Sequence, residues 1–298
     1  MSTRPLGPDK NFLGIEDPES HSYERSRFVI QQVPYEHTSS YHSGSVNGPA
    51  AIMDASHFVE FYDEEPGIET FRHGGICALE AMQFDGKVDE DAVDHIAATT
   101  SKLLNDGKFV VSFGAEHTVT YGFVKAFSDH YNGLSVLQID AHSDLRQEYN
   151  GNKWSHASVM ARVHDLGVKI GQVGIRAQCK EEAEMIKASD LIETAYAHEI
   201  RGGEDWQDRI LDHLTENVYI TIDADGFDPS VIPHVGTPEP NGLHWQETIS
   251  FLQKVVKHRN VVGFDIVEVA PVNGYTLSEF TLAKLAYKII GMVVKKDI

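Results

Sequence analysis

Six side chains in three short clusters have the types and spacing of metal ligands. They are His117 in Gly114-Ala-Glu-His117, then Asp140, His142 and Asp144 in Asp140-Ala-His142-Ser-Asp144, then Asp223 and Asp225 in Asp223-Ala-Asp225-Gly-Phe-Asp228-Pro229. In extended chain, residues two apart project to one face about 6.6 Å from each other, whereas on a helix they diverge by about 200°. The alternating carboxylates and imidazoles can therefore converge only if each cluster is extended. A carboxylate buried beside a run such as Val136-Leu-Gln-Ile139 is costly unless a cation compensates it. Four or five converging Asp residues carry too much negative charge for one divalent ion. Two ions about 3.5 to 4 Å apart, bridged by carboxylates, balance it and generate a hydroxide nucleophile near neutral pH. Carboxylate and imidazole without thiolate point to Mn²⁺ first, with Fe, Co, Ni or Zn also compatible.

The pattern around the clusters supplies strands to position them. Short β-rich apolar runs cover 28–33, 109–113, 134–139, 169–173, 218–222 and 261–266, with an edge strand at 192–196. Helical periodicity covers 50–61, 89–105, 119–130, 156–166, 180–188, 206–214, 245–258 and 279–294. Runs such as Leu134-Ser-Val-Leu-Gln-Ile139 are apolar on nearly every residue, as strands covered on both faces must be. The expected fold is α/β, a three-layer α/β/α sandwich with an open, mostly parallel sheet of six to eight strands. Ligands in such sheets bind beyond the carboxyl ends of the strands. Each cluster follows a predicted strand, and so does Glu268 in Glu268-Val-Ala-Pro271. A lone Asp after a strand is more often a cap or turn residue, the reading given to Asp228 before Pro229. The joint pattern is what favours a dinuclear site.

Composition excludes several alternatives. No apolar run reaches the ~18 residues of a membrane helix, and the first 25 residues hold no apolar block of signal-peptide length. The expectation is a soluble, cytoplasmic protein without a membrane partner. Lys plus Arg number 25 against 45 Asp plus Glu, a formal charge of −20, which disfavours nucleic acid and favours a small cationic substrate. Cys77 and Cys179 stand far apart, so sulfur chemistry is not indicated. GxGxxG, GxxxxGK[ST] and GxSxG motifs are absent, removing the nucleotide-binding and serine-hydrolase readings. With no Pro/Ser-rich linker, the expected organisation is a loose lead over residues 1–25 and a single domain over 26–298.

The blocks Gly114-Ala-Glu-His117, Asp140-Ala-His142-Ser-Asp144, Ser155-His156, Thr221-Ile-Asp223-Ala-Asp225-Gly-Phe-Asp228-Pro229 and Glu268-Val-Ala-Pro271 resemble, in order, those of the ureohydrolase family, the arginases and agmatinases. One departure is Ala115, where the family commonly has Gly. The resemblance implies an arginase-like fold in which His117, Asp140, Asp144 and Asp223 hold one Mn²⁺ and Asp140, His142, Asp223 and Asp225 hold the other. It implies Asp144, His156 and Glu268 as catalytic residues, with His156 and Glu268 contacting substrate. It further implies hydrolysis of a guanidino group to urea and an amine by a homo-oligomer, a trimer or hexamer. The stretch Leu145-Arg-Gln-Glu-Tyr-Asn-Gly-Asn-Lys-Trp154 and the segment Gly236-Thr-Pro-Glu-Pro240 look like the agmatinase branch, so agmatine is the first expected substrate. Guanidinobutyrate, guanidinopropionate, arginine or guanidine are alternatives. From other classes, a one-zinc deacetylase of similar architecture and a catalytically silent oligomeric metal-binding scaffold are the competing readings.

Overall fold

The computed structural model describes residues 4–203 and 205–298. Ten strands are present among them: β1 Phe28–Val33, β2 Tyr62–Asp63, β3 Ile68–Glu69, β4 Ile76–Ala78, β5 Phe109–Gly114, β6 Leu134–Ile139, β7 Lys169–Ile175, β8 Ile192–Tyr196, β9 Asn217–Asp223 and β10 Asn260–Val267. Eight of them form one sheet in the order β4-β1-β5-β10-β9-β6-β7-β8, every pair parallel. β2 and β3 make a small antiparallel hairpin.

Alternate strand residues serve opposite faces. Phe28, Ile30, Phe109, Val111, Phe113, Leu137 and Ile139 pack with helices Gly48–Ser56, Trp206–His213, Trp245–His258 and Leu277–Asp297. Val29, Val33, Val110 and Val136 pack with Asp89–Asn105, Val119–His130 and Val159–Asp165. This is the expected three-layer sandwich, each layer of side chains burying one sheet face.

The chain order decides where a site can form. After β5 the chain crosses to β6, builds β7 and β8 outward, then returns to insert β9 and β10 between β5 and β6. The four central neighbours β5, β10, β9 and β6 thus end on one edge, and a crevice opens beyond the point where strand order reverses.

Several boundaries differ from the sequence reading. The helix expected over 50–61 runs Gly48–Ser56. Gly48 and Pro49 form its first two positions, and beyond its end the Pro66-Gly67 turn draws Tyr62–Asp63 and Ile68–Glu69 into the hairpin. The helix expected over 156–166 is a 3₁₀ turn, His156–Ser158, followed by Val159–Asp165. The last helix is longer at both ends than 279–294. β4, three residues long and preceded by the positive-φ Gly74 and Gly75, is too short for periodicity to reveal.

The segment expected as a loose lead is seated along its described part. Pro5 bridges Leu79 antiparallel, Leu6 N–H donates to Ala78 O and Glu80 N–H to Arg4 O, which closes the exposed edge beside β4. Asn11 ties itself to Ile76 O and to Ala78 N–H, while Phe12, Leu13 and Ile15 are buried in the main core. Three apolar residues in a short polar stretch give no periodic signal, so tertiary burial overrides the local pattern. No helix among the described residues is long and apolar enough to cross a membrane.

Candidate metal centre

The strand ends bring the six ligand candidates together. His117 follows β5, Asp140 follows β6 with His142 and Asp144 on the extended segment beyond, Asp223 closes β9, and Asp225 sits in the turn Ala224–Gly226. His117 Nδ1 lies 3.1 Å from Asp140 Oδ2, 3.0 Å from Asp144 Oδ2 and 3.3 Å from Asp223 Oδ2. His142 Nδ1 lies 3.1 Å from Asp225 Oδ2 and 3.8 Å from Asp140 Oδ1. Two ligand groups result, one from His117, Asp140 and Asp223 and one from Asp140, His142 and Asp225, with Asp140 common to both.

The side chains are aimed by fixed donors. Asp140 Oδ1 accepts His142 N–H at 2.7 Å, Asp225 Oδ1 accepts Ala141 N–H at 3.2 Å and Asp223 Oδ1 accepts Asp225 N–H at 2.8 Å. Thr237 donates to Asp225 Oδ2 at 3.1 Å. Behind His117, Nε2 meets Thr221 Oγ1 at 2.9 Å, and Thr221 donates to Asp265 Oδ1 at 2.7 Å. Asp265 also accepts from Tyr219 and Thr120. Such a carboxylate-backed imidazole keeps the proton on Nε2 and turns the Nδ1 lone pair to the cluster. His117 Nδ1 is buried without a hydrogen bond. A buried ring nitrogen facing three carboxylate oxygens is the arrangement a cation completes.

Electrostatics agree. Burial, with Asp140 alongside, pushes the Asp144 carboxyl up to about 7, and burial with Asp225 and Asp140 raises Asp223 well above the usual range. Burial opposes charge on His142, yet Asp225 outweighs it and lifts the imidazole to about 11. Burial likewise opposes charge on His117, and Asp140, Asp144 and Asp223 together raise it well above normal. Without cations the cluster must hold protons to balance its carboxylates, and these are the protons divalent ions displace.

The cluster opens into a cavity of about 200 Å³ lined by both histidines, Asp144, Asp223 and Asp225, and also by His156, Glu268, Ser40, Arg146, Tyr149 and Thr237. Every site residue expected from the sequence lines this cavity except Asp140, which is fully buried against His117 and His142. Asp144 and Glu268 are two of the seven non-glycine residues with positive φ among the described residues, at 54° and 65°. Backbone strain of that kind persists only where the surroundings hold it. Glu268 N–H donates to Ala115 O at 2.7 Å, and Ala115 is itself fully buried, so its methyl is accommodated. Glu268 Oε1 accepts His117 N–H at 2.7 Å. Burial and the nearby Glu116 raise the Glu268 carboxyl well above normal.

His156 meets Thr38 Oγ1 through Nδ1 at 3.1 Å and Ser40 Oγ through Nε2 at 3.2 Å. Burial, with charge on His142 and His117, lowers it to about 4, so it stays neutral near pH 7. The loop carrying Thr38 is pinned by Glu116, which accepts the His37 and Thr38 N–H groups. Arg176 donates to the carbonyls of Gly174, Asp225, Gly226, Phe227 and Glu239, tying the Asp225 turn to the neighbouring loop. Thr38, Ser40, Glu116, Arg176, Thr221 and Asp265 are functional neighbours that the sequence reading did not single out. The available signal was Thr221 and Asp265 interrupting apolar strands.

Comparison with known proteins gives the same assignment. The arginase family model matches residues 26–291. An N(1)-aminopropylagmatine ureohydrolase of Synechocystis sp. is 40% identical over 291 residues, covering 96% of this chain and 94% of that protein. An agmatinase of Pyrococcus horikoshii is 33% identical over 271 residues, covering 89% and 91%. The crystal structure of the agmatine ureohydrolase of Thermoplasma volcanium superposes with a TM-score of 0.84 at 31% identity, covering 96% of this chain and 94% of that one. With paired His/Asp metal-binding groups at the reversal point of an eight-stranded parallel sheet, and with these relatives, the chain belongs to the arginase family as one of its ureohydrolases.

Proposed function

We propose that the protein hydrolyses the guanidino group of a guanidinoalkyl amine, releasing urea, with two Mn²⁺ held by His117, Asp140, Asp144, Asp223, His142 and Asp225. The observation that carries the reading is that five of these ligands, Glu268 and His156 line one cavity of about 200 Å³, with Asp140 buried against His117 and His142. Two divalent ions held there would supply a hydroxide nucleophile near neutral pH, which the resonance-stabilised guanidinium carbon requires. Glu268 offers the planar guanidinium a carboxylate for paired N–H contacts, beside the cluster that supplies the attack. Thr38 and Ser40 hold the neutral ring of His156, which lines the cavity and can take up a proton and hand it on to the leaving nitrogen, ending neutral again. The −20 charge suits a cationic substrate in the cytoplasm, and a homo-oligomer, trimer or hexamer, completes the reading.

Agmatine is the first substrate of this reading, and relatives that are N(1)-aminopropylagmatine ureohydrolases favour a longer one, N(1)-aminopropylagmatine. A second cavity of about 260 Å³, lined by His37, Thr38, Ser39, Tyr149, Asn150, Asn152 and Ser155, shares Tyr149 with the first. It provides room and hydrogen-bonding groups for an extended amine tail. Arg146 at the rim instead favours a carboxylate-ended tail. Urea release from Mn²⁺-loaded protein is the test, across agmatine, its aminopropyl derivative, arginine, guanidinobutyrate, guanidinopropionate and guanidine. The expected order places either amine at least about a hundredfold above arginine in kcat/KM, because Arg146 could meet only the carboxylate of an amino-acid head and would leave its α-ammonium without a partner. Comparable rates on arginine, or turnover of guanidinobutyrate alone, overturn the amine assignment.

A further inference from the structure

β7 and β8 carry none of the six candidate ligands, yet a line of hydrogen bonds runs from β8 to the metal cluster. The parallel registers set Gln138 on β6 beside Gln172 on β7, and Gln172 beside Thr194 on β8. All three are buried within strands that are otherwise largely apolar. Two carboxamides and a hydroxyl are tolerated there only if their polar atoms are paired. Thr194 Oγ1 donates to Gln172 Oε1 at 2.9 Å. Gln172 Nε2 donates to Gln138 Oε1 at 2.7 Å and to Ser143 O at 2.9 Å. Gln138 Nε2 donates to Asp140 Oδ2 at 2.7 Å and to His142 O at 3.1 Å. The two backbone carbonyls can only accept, so each amide must turn its nitrogen toward them. The line therefore has one direction, from hydroxyl to carboxylate.

Its end point is the residue shared by both halves of the site. Asp140 Oδ2, held by Gln138, faces His117 Nδ1 at 3.1 Å, while Oδ1, held by His142 N–H, lies on the side of His142 Nδ1 at 3.8 Å. We propose that Gln172 and Thr194 are positioning residues that act through Gln138 to hold the Asp140 carboxylate with one oxygen turned to each half of the cluster. The inference rests on the two-metal reading above and extends it to two strands outside the site.

The test compares Thr194→Val, Thr194→Ser and Gln172→Glu with the unmodified full chain. Valine keeps the volume of threonine and removes the donor, while serine restores it. In Gln172→Glu an acceptor oxygen replaces the amide nitrogen facing Gln138, which turns the Gln138 carbonyl toward Asp140. Each protein is stripped with chelator and titrated with Mn²⁺ by calorimetry. Electron paramagnetic resonance reads the spin-coupled ion pair, and melting of the metal-free protein checks the fold. Partners of metal ligands typically change affinity about 10- to 100-fold, so that loss is expected for Gln172→Glu, with roughly three- to tenfold for the more remote Thr194→Val and recovery to within about twofold for Thr194→Ser. The pair signal at stoichiometric Mn²⁺ falls in the same order. A folded Gln172→Glu or Thr194→Val protein that binds as the wild type does removes that residue from the assignment, and a Thr194→Ser loss equal to that of Thr194→Val reduces the role to packing and overturns it. If Gln172→Glu does not fold, the threonine pair still decides. Wild-type protein binding fewer than two ions overturns the two-metal reading, whereas unaffected variants of a two-ion protein overturn this inference alone.

Discussion

Glu268 Oε1 accepts the His117 N–H, which leaves Oε2 for a ligand in the cavity. Gln in its place can still accept that N–H but brings no charge to a guanidinium. Glu268→Gln is therefore expected to keep both metal ions and lose about ten- to a hundredfold in kcat/KM, with misorientation of the reacting carbon adding more. Metal content and kinetics on one preparation check it. Lost metal would make Glu268 a buttress of His117, and wild-type kinetics would remove it from the mechanism. A second expectation concerns protons. Metal ions need ionised carboxylates and neutral imidazoles, but burial and neighbouring charge hold Asp144 at about 7 and His142 at about 11 in the metal-free chain. Binding at pH 7 should release on the order of two protons per chain, and Mn²⁺ affinity should rise with pH. Calorimetry in buffers of differing ionisation enthalpy measures that count, and none released would contradict the charge balance described. The raised Asp144 also means that the metal-free fold loses stability from this group between about pH 4 and 7, where the unfolded chain gives up its proton first. At this scale the sequence was most legible for the ligands, because alternation on extended chain is a geometric rule. It was least legible for Thr38, Glu116 and Arg176, whose partners lie far along the chain and whose types are ordinary surface types.

Strand ends fix where the ligands start, but the turn after β9 must also approach β6. Gly226 makes that approach: a Cβ there would meet Asp140 N at 2.8 Å, Asp140 Cα at 3.0 Å and Ile139 C at 3.0 Å. Backbone atoms at the end of a central strand cannot yield as a flexible side chain would. Gly226→Ala is expected to push the Asp225 turn off Asp140, costing about 1 to 3 kcal/mol and weakening the ion between Asp140, His142 and Asp225 more than its neighbour. Thermal melting of the metal-free variant and its Mn²⁺ stoichiometry check this, and a normal ion pair in Gly226→Ala would refute it. Seven of the eight strands of the main sheet could be read from apolar runs because both faces are covered. β4 could not, since three residues carry no period. The shortened helix Gly48–Ser56 marks the opposite failure: the apolar residues past it suggest a longer helix, yet Val59 alone of 57–61 is buried, and Phe58 is 79% exposed.

Across the whole molecule the correction with the largest energetic consequence is at the amino end. Phe12, Leu13 and Ile15 are at most 2% exposed and belong to the main core, so removal of residues 1–16 is expected to destabilise the protein by on the order of 5 kcal/mol. It would also uncover the edge beside β4, so soluble aggregates should accompany the loss. Urea denaturation and light scattering measure both, and an undisturbed, monodisperse truncated protein would return the lead to the loose status read from the sequence. The layered fold was legible as a whole because its strand and helix signals alternate regularly. How the strands are ordered was not, since insertion of β9 and β10 between β5 and β6 depends on packing between segments more than eighty positions apart.

The amino-terminal clasp also has a consequence for biosynthesis. Phe12 stacks near Phe113 with ring centroids 5.8 Å apart, Leu13 N–H donates to Ser56, and Asn11 binds Ile76 and Ala78. On the ribosome these residues are made well before β4 and β5, which carry Ile76, Ala78 and Phe113. Their apolar side chains stay without a seat until β4 and then β5 have been translated, so the clasp closes behind the growing sheet rather than starting it. A nascent chain halted before residue 76 should therefore present Phe12 and Leu13 to chaperones, and one released past β5 should hide them.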